Sequence, residues 1–285
     1  MSRRLLWRAG LTALAYTLLV VPGYARGQTL SYVGSVQFTT GDYGLPQATT
    51  SLALLNGLAL RADRLRVWLS IPLILQDAAW VQYGGAGMVP SGGLRKHGVG
   101  QMMGQGDGDM TNASNGGGGM SSHVGVGDAF GRAEFDLLNG DVRGRSLRAA
   151  AVAKAPLARP RDGLGTGKWD VGGGISWSEL LAGNYLFTDA TYWVMGRPDS
   201  LPVRNTLAYA LAIGRPLRTG AYALLASVSG STPVVEGMKA PVQGGLGVSY
   251  RVSEQRFLSG TMSVGLTKTA PTVTLGLGWQ AGLWR

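Results

Sequence analysis

The stretch Leu65-Arg66-Val67-Trp68-Leu69-Ser70-Ile71-Pro72-Leu73-Ile74-Leu75 decides the fold. Every odd position is aliphatic, while the even positions carry Arg66, Trp68, Ser70, Pro72 and Ile74. Successive side chains of a strand point to opposite faces, so one face here is apolar for six positions in a row. The end of the chain repeats the pattern. Val273, Leu275, Leu277, Trp279, Ala281 and Leu283 alternate with Thr274, Gly276, Gly278 and Gln280. A second face that is small and polar suits a wet lumen better than the dry core of a sandwich.

Working outward, period-two alternation predicts about twelve strands: 29–40, 49–60, 64–76, 123–137, 147–156, 168–178, 184–196, 204–214, 220–231, 242–252, 256–267 and 271–284. Soluble strands average five or six residues, whereas a strand tilted across a bilayer needs about nine to eleven. The connections after even strands are short, as at Arg61-Ala62-Asp63 and Ser253-Glu254-Gln255, and those after odd strands are mostly longer. Short turns on one side and long loops on the other are the pattern of a bacterial outer-membrane barrel. Tryptophan and tyrosine supply 18 of the 23 aromatics, the residues that suit two interfacial girdles. The expected fold is therefore all-β: a transmembrane antiparallel β-barrel of about twelve strands, with short periplasmic turns and long extracellular loops.

The ends of the chain and its composition agree. Residues 1–25 read as a signal peptide: Arg3, Arg4 and Arg8 precede an apolar run from Leu11 to Val21, and Gly23-Tyr24-Ala25 offers a small-residue cleavage site. That leaves 26–285 as the barrel, with 77–122 as a long Gly/Met-rich extracellular loop, and places the protein in the bacterial outer membrane. Glycine at 46 of 285 residues has no collagen period, and zero cysteines exclude a disulfide framework and thiolate metal sites. The formal charge of +10 is spread singly along a chain only 15% charged, with no nucleic-acid motif, so nucleic acid is not an expected partner. The expected partners are a small-molecule solute, outer-membrane lipid and the barrel-insertion machinery.

Three quoted segments carry a resemblance. Val124-Gly125-Val126-Gly127-Asp128 opens the fourth predicted strand, and Lys154-Ala155-Pro156 closes the fifth. Leu164-Gly165-Thr166-Gly167-Lys168-Trp169-Asp170 leads into the sixth. Together they resemble the outer-membrane transporter family labelled meta-pathway of phenol degradation, whose members are similar to aromatic-hydrocarbon and fatty-acid channels. The motif positions are Gly125, Gly127, Asp128, Lys154, Pro156, Gly165 and Gly167. The resemblance implies a channel or transporter for small, aromatic or hydrophobic solutes. Pro156 departs from it by being followed by Leu157-Ala158, and the chain ends Trp284-Arg285 rather than on an aromatic.

Parity then assigns the lumen. Asp128, Arg132 and Glu134 share a face opposite Ala133, Phe135 and Leu137; Arg148 and Lys154 oppose Leu147, Ala149 and Ala153; Lys168 and Asp170 oppose Trp169 and Val171. A charge facing lipid at mid-depth costs about 2–4 kcal/mol for arginine or lysine, so these seven are expected inward, along the solute path. Four cations against three anions predict a mild anion preference. The same parity sets Val124 and Val126 on one face with Asp128, opposite Gly125 and Gly127.

Other motifs are weak. Gly163 to Trp169 has the wrong spacing for a phosphate loop and lacks its Ser/Thr. His123 beside Ser121 and Ser122 is not an oriented triad, so no enzyme is expected. No cofactor is implied. His97, Met102, Met103 and His123 are soft ligands of the copper(I) type, which gives an alternative reading: a structural or metal-binding barrel acting through its long loop.

Overall fold

The computed structural model describes residues 28–45, 47–77, 81–84, 87–90, 122–140, 144–198, 202–217 and 221–284. The expected signal peptide and most of the 77–122 loop, with His97, Met102 and Met103, lie outside these residues.

Among the described residues, fifteen strands run in chain order: β1 Thr29–Gly41, β2 Thr49–Ala62, β3 Leu65–Gln76, β4 Val81–Gly84, β5 Gly87–Pro90, β6 His123–Val126, β7 Ala129–Asn139, β8 Ser146–Ala155, β9 Asp170–Leu181, β10 Asn184–Val194, β11 Thr206–Pro216, β12 Tyr222–Ser231, β13 Val242–Ser253, β14 Arg256–Gly265 and β15 Val273–Trp284. β4 and β5 form a separate small hairpin. All the others join one antiparallel sheet in which β6 and β7 both pair with β3 and the remaining pairs join strands adjacent in the chain or its two ends. β1 pairs with both β2 and β15, so the sheet closes. With β6 and β7 serving as one wall strand, the result is a closed twelve-strand barrel. No helix among the described residues is long and apolar enough to cross a membrane.

The alternation maps directly onto the wall. Outward positions are aliphatic and open to the surroundings, with Leu246 70% and Leu277 66% exposed. This inverts a soluble protein and fits a lipid belt. On that outer face Tyr222 and Tyr250 stack with centroids 4.6 Å apart, at the end of the barrel that holds the short turns. Those turns are tight. Ala182 and Gly183 join β9 to β10 with φ of 49° and 78°, the two-residue hairpin geometry that a glycine eases. At the other end, longer connections fold over the mouth. Val203, just ahead of β11, and Val235, between β12 and β13, bridge each other and pack with Val152, Trp193, Met195 and Val234.

The fourth wall strand departs from simple alternation. β3 pairs Leu73 with Val126 but Ser70 with Phe130, so three residues of one strand oppose two of the other. This is a β-bulge at Gly127-Asp128. It sits opposite Pro72, which has no N–H to give the ladder, while the Pro72 carbonyl accepts the Gly127 N–H at 2.9 Å. The bulge turns consecutive residues the same way. Val124 and Val126 face out, whereas Gly125, Gly127 and Asp128 all face in; the expectation that Asp128 shares a face with Val124 and Val126 fails for this reason.

Candidate functional site

The inward face of the β3 and β7–β10 wall holds two charged groups. The upper one lies at the long-loop end. Lys154 closes β8 with no exposure, its Nζ 2.9 Å from Asp128 Oδ2 and 3.0 Å from Asp170 Oδ2, and it donates to Thr166 Oγ1 at 2.6 Å. Register explains the meeting: Lys154 pairs with Asp170 across β8–β9 and with Phe130, two residues from Asp128, across β7–β8. The spare carboxylate oxygens hold loops. Asp128 accepts the Ala158 N–H at 3.1 Å, and Asp170 accepts the Gly196 N–H at 2.8 Å. The connection 156–169 is thereby drawn into the mouth, where Leu164 and Ala158 pack against Ala53 and Ile74 on the inner wall. Gln76 adds a hydrogen bond from its side-chain amide to the Gly163 carbonyl.

The motif residues converge here. A Cβ at Gly125 would stand 2.8 Å from Leu164, one at Gly127 2.7 Å from Ile74, and one at Gly165 2.6 Å from the Asp128 carboxylate. Gly167 has φ 68° and lies against Pro160. Pro156 ends β8 and starts the inturned loop. The glycines thus leave room for the loop to enter and for the carboxylate to reach Lys154. Lys168 does not join them. β9 begins only at Asp170, so Lys168 belongs to the Thr166–Trp169 turn, where its backbone N–H contacts Thr166 Oγ1 and its side chain is exposed. Strand parity does not apply to a residue ahead of the strand.

The lower group is a chain of ion pairs across five strands. Arg66 meets Asp136 at 3.2 Å; Arg148 meets Asp136 at 3.3 Å and Glu134 at 3.4 Å; Arg132 meets Glu134 at 2.7 Å and also pairs with Asp189. Ser176 and Thr191 complete the set, each donating to Asp189. Arg132, Glu134 and Arg148 were expected in the lumen. Arg66, Asp136 and Asp189 join them from the structure. Asp136 was legible, being two residues beyond Glu134 on the same face; Asp189 was not, because β10 mixes polar and apolar residues on both faces. Among the described residues these two groups hold Arg66, Arg132, Arg148 and Lys154 against Asp128, Glu134, Asp136, Asp170 and Asp189. Four cations face five anions, so the charge count behind the expected anion preference does not survive.

The opposite wall is uncharged over its middle. Inward positions of β11–β15 and β1 there are mostly hydroxyls, amides, alanines and glycines, such as Ser227, Ser229, Gln243, Thr261 and Gly276, with Leu225 an apolar exception that lines the smaller cavity. Two cavities of about 300 and 310 Å³ lie along it, and both are lined by Gln37, Ser229, Gln243 and Thr274. The larger also touches Arg132 and Asp189. His123 opens β6 opposite Gln76, and no group of three His, Cys, Asp or Glu side chains placed to hold a metal forms among the described residues. Above the mouth, Tyr43 is wholly buried in the β1–β2 turn, and burial, with Asp77 adding to it, pushes its phenol pKa up.

No family model and no curated protein sequence matches the chain. Solved structures do. An outer-membrane channel from Pseudomonas putida F1 superposes with a TM-score of 0.60 at 14% identity, covering 93% of this chain and 100% of that one. The KdgM porin gives 0.48 at 7% identity over 89% of this chain and 99% of its own. Outer membrane phospholipase A from Escherichia coli gives 0.42 at 11% over 89% and 90%. The first of these shows a shared fold; the other two are too distant to carry weight. This chain has the fold of an outer-membrane β-barrel.

Proposed function

We propose that the protein is an outer-membrane channel for small solutes. The observation that carries this is the unfilled space of mixed polar and apolar lining beside Arg132 and Asp189, continued along the barrel by a second cavity that shares four lining residues. Side chains fill the interior of barrels of about eight strands; this twelve-strand barrel is wider, and the small serines, threonines, alanines and glycines of one wall leave space. The fold shared with a channel supports the reading. The motif resemblance adds aromatic solutes, and among these the ones bearing hydroxyl groups suit the hydroxyl and amide lining. Conductance across planar bilayers tests the proposal: purified protein should give discrete steps, and hydroxylated aromatics should reduce them as they occupy the cavities. A folded barrel that gives no steps would refute it.

A further inference from the structure

We infer that the middle of the lumen selects neutral, sugar-sized polyols over ions of the same size. This rests on the channel reading alone, not on the aromatic solutes that the motif resemblance adds, and gives that channel a different substrate class. Along the charged wall, Arg66, Asp136, Arg148, Glu134, Arg132 and Asp189 alternate in sign, and each lies within 3.4 Å of an opposite charge. Asp189, beside the larger cavity, is further engaged by Ser176 and Thr191. Three cations and three anions at this level cancel in pairs. Pores that select ions do so with rings of one sign, and none of that is present among the described residues here.

Across the cavity stand Gln37, Thr39, Ser229, Gln243 and Thr274. Hydroxyl and carboxamide groups both donate and accept, so they match a solute whose hydroxyls do the same. Gln243 donates to Ser229 at 3.2 Å and Gln37 to Thr39 at 3.4 Å, and the donors and acceptors these groups keep beyond those contacts replace part of what a neutral polyol gives up in water. An ion gives up hydration and finds each countercharge already paired. The space is sufficient: about 310 Å³ corresponds to roughly ten waters at ~30 Å³ each.

Swelling of liposomes containing the purified full chain tests this with glucose, gluconate and glucosamine, three probes of nearly equal size and different charge. Glucose should enter fastest, with each ion roughly tenfold slower because its lost hydration is not replaced. Equal entry of gluconate or glucosamine overturns the selectivity and leaves the channel standing. A folded barrel that admits none of the three overturns both. Two variants probe the cause. Asp189→Asn leaves Arg132 with surplus positive charge at the cavity, so gluconate should gain on glucose. Gln243→Glu places an unpaired carboxylate on the far wall, so glucosamine should gain. An unchanged ratio of ion to glucose entry in either folded variant refutes the pairing argument.

Discussion

Replacing Lys154 with methionine removes one charge at nearly constant volume and leaves Asp128 and Asp170 facing each other with no cation. All three groups are fully buried, and the Nζ lies within 3.0 Å of both carboxylates. Removing one member of a buried ion pair costs about 3–5 kcal/mol, because the charge left behind is neither hydrated nor paired. The wall itself keeps its backbone ladders, so the loss should fall on what the cluster holds in place: the 156–169 loop, through the Ala158 N–H and the Thr166 hydroxyl. Local opening of that loop should become easier by the same amount. At about 1.4 kcal/mol per tenfold, its amides should exchange with deuterium roughly 10²- to 5 × 10³-fold faster. Hydrogen exchange with mass spectrometry on the folded variant reads this peptide by peptide. Unchanged protection over 156–169, or loosening spread evenly over the twelve strands, would show that Lys154 does not latch the loop.

Three further outcomes follow from the same geometry. Gly165→Val adds atoms where even a Cβ would stand 2.5 Å from Ala158 and 2.6 Å from Asp128, so it should loosen the same loop by about 1–3 kcal/mol, seen as faster proteolysis within 156–169. Ile71→Arg puts a charge on the lipid face midway along β3 and should cost about 2–4 kcal/mol in reversible unfolding from lipid vesicles, while Ile71→Leu should cost under about 1.5 kcal/mol. A tag inserted at Gly106 should be labelled on intact cells and one at Asp63, in the two-residue β2–β3 turn, should not; reversed labelling would invert the orientation.

Most of the barrel was legible because a strand with lipid on one side writes its environment into alternate residues. β3 and β15 show this plainly, and predicted and observed ends differ by three residues at most along the wall. Alternation fails where the backbone stops alternating. At Gly127-Asp128 the bulge turns two consecutive residues inward, and the only local signs are the glycine and Pro72 on the facing strand. At Lys168 the strand has not yet begun. The convergence of Asp128, Lys154 and Asp170 was within reach, since their strands are neighbours in sequence and all were expected inward. The pairing of Arg132 with Asp189 was not. It spans three strand steps, from β7 to β10, and depends on barrel curvature and side-chain length, neither of which a linear pattern records. The inward fold of 156–169 had no clear sign, because Leu164 and Ala158, which pack inward, share the loop with the exposed Leu157 and Trp169.

The central claim is that solute passes beside Ser229, which lines both cavities. The chain has no cysteine, so Ser229→Cys introduces a single reactive thiol at the lumen wall. In planar bilayers, a small charged methanethiosulfonate reagent added from either side should react with it and step the single-channel conductance down, with no effect on the parent protein. A thiol that reacts only after unfolding, or one whose modification leaves the current unchanged, would contradict the account.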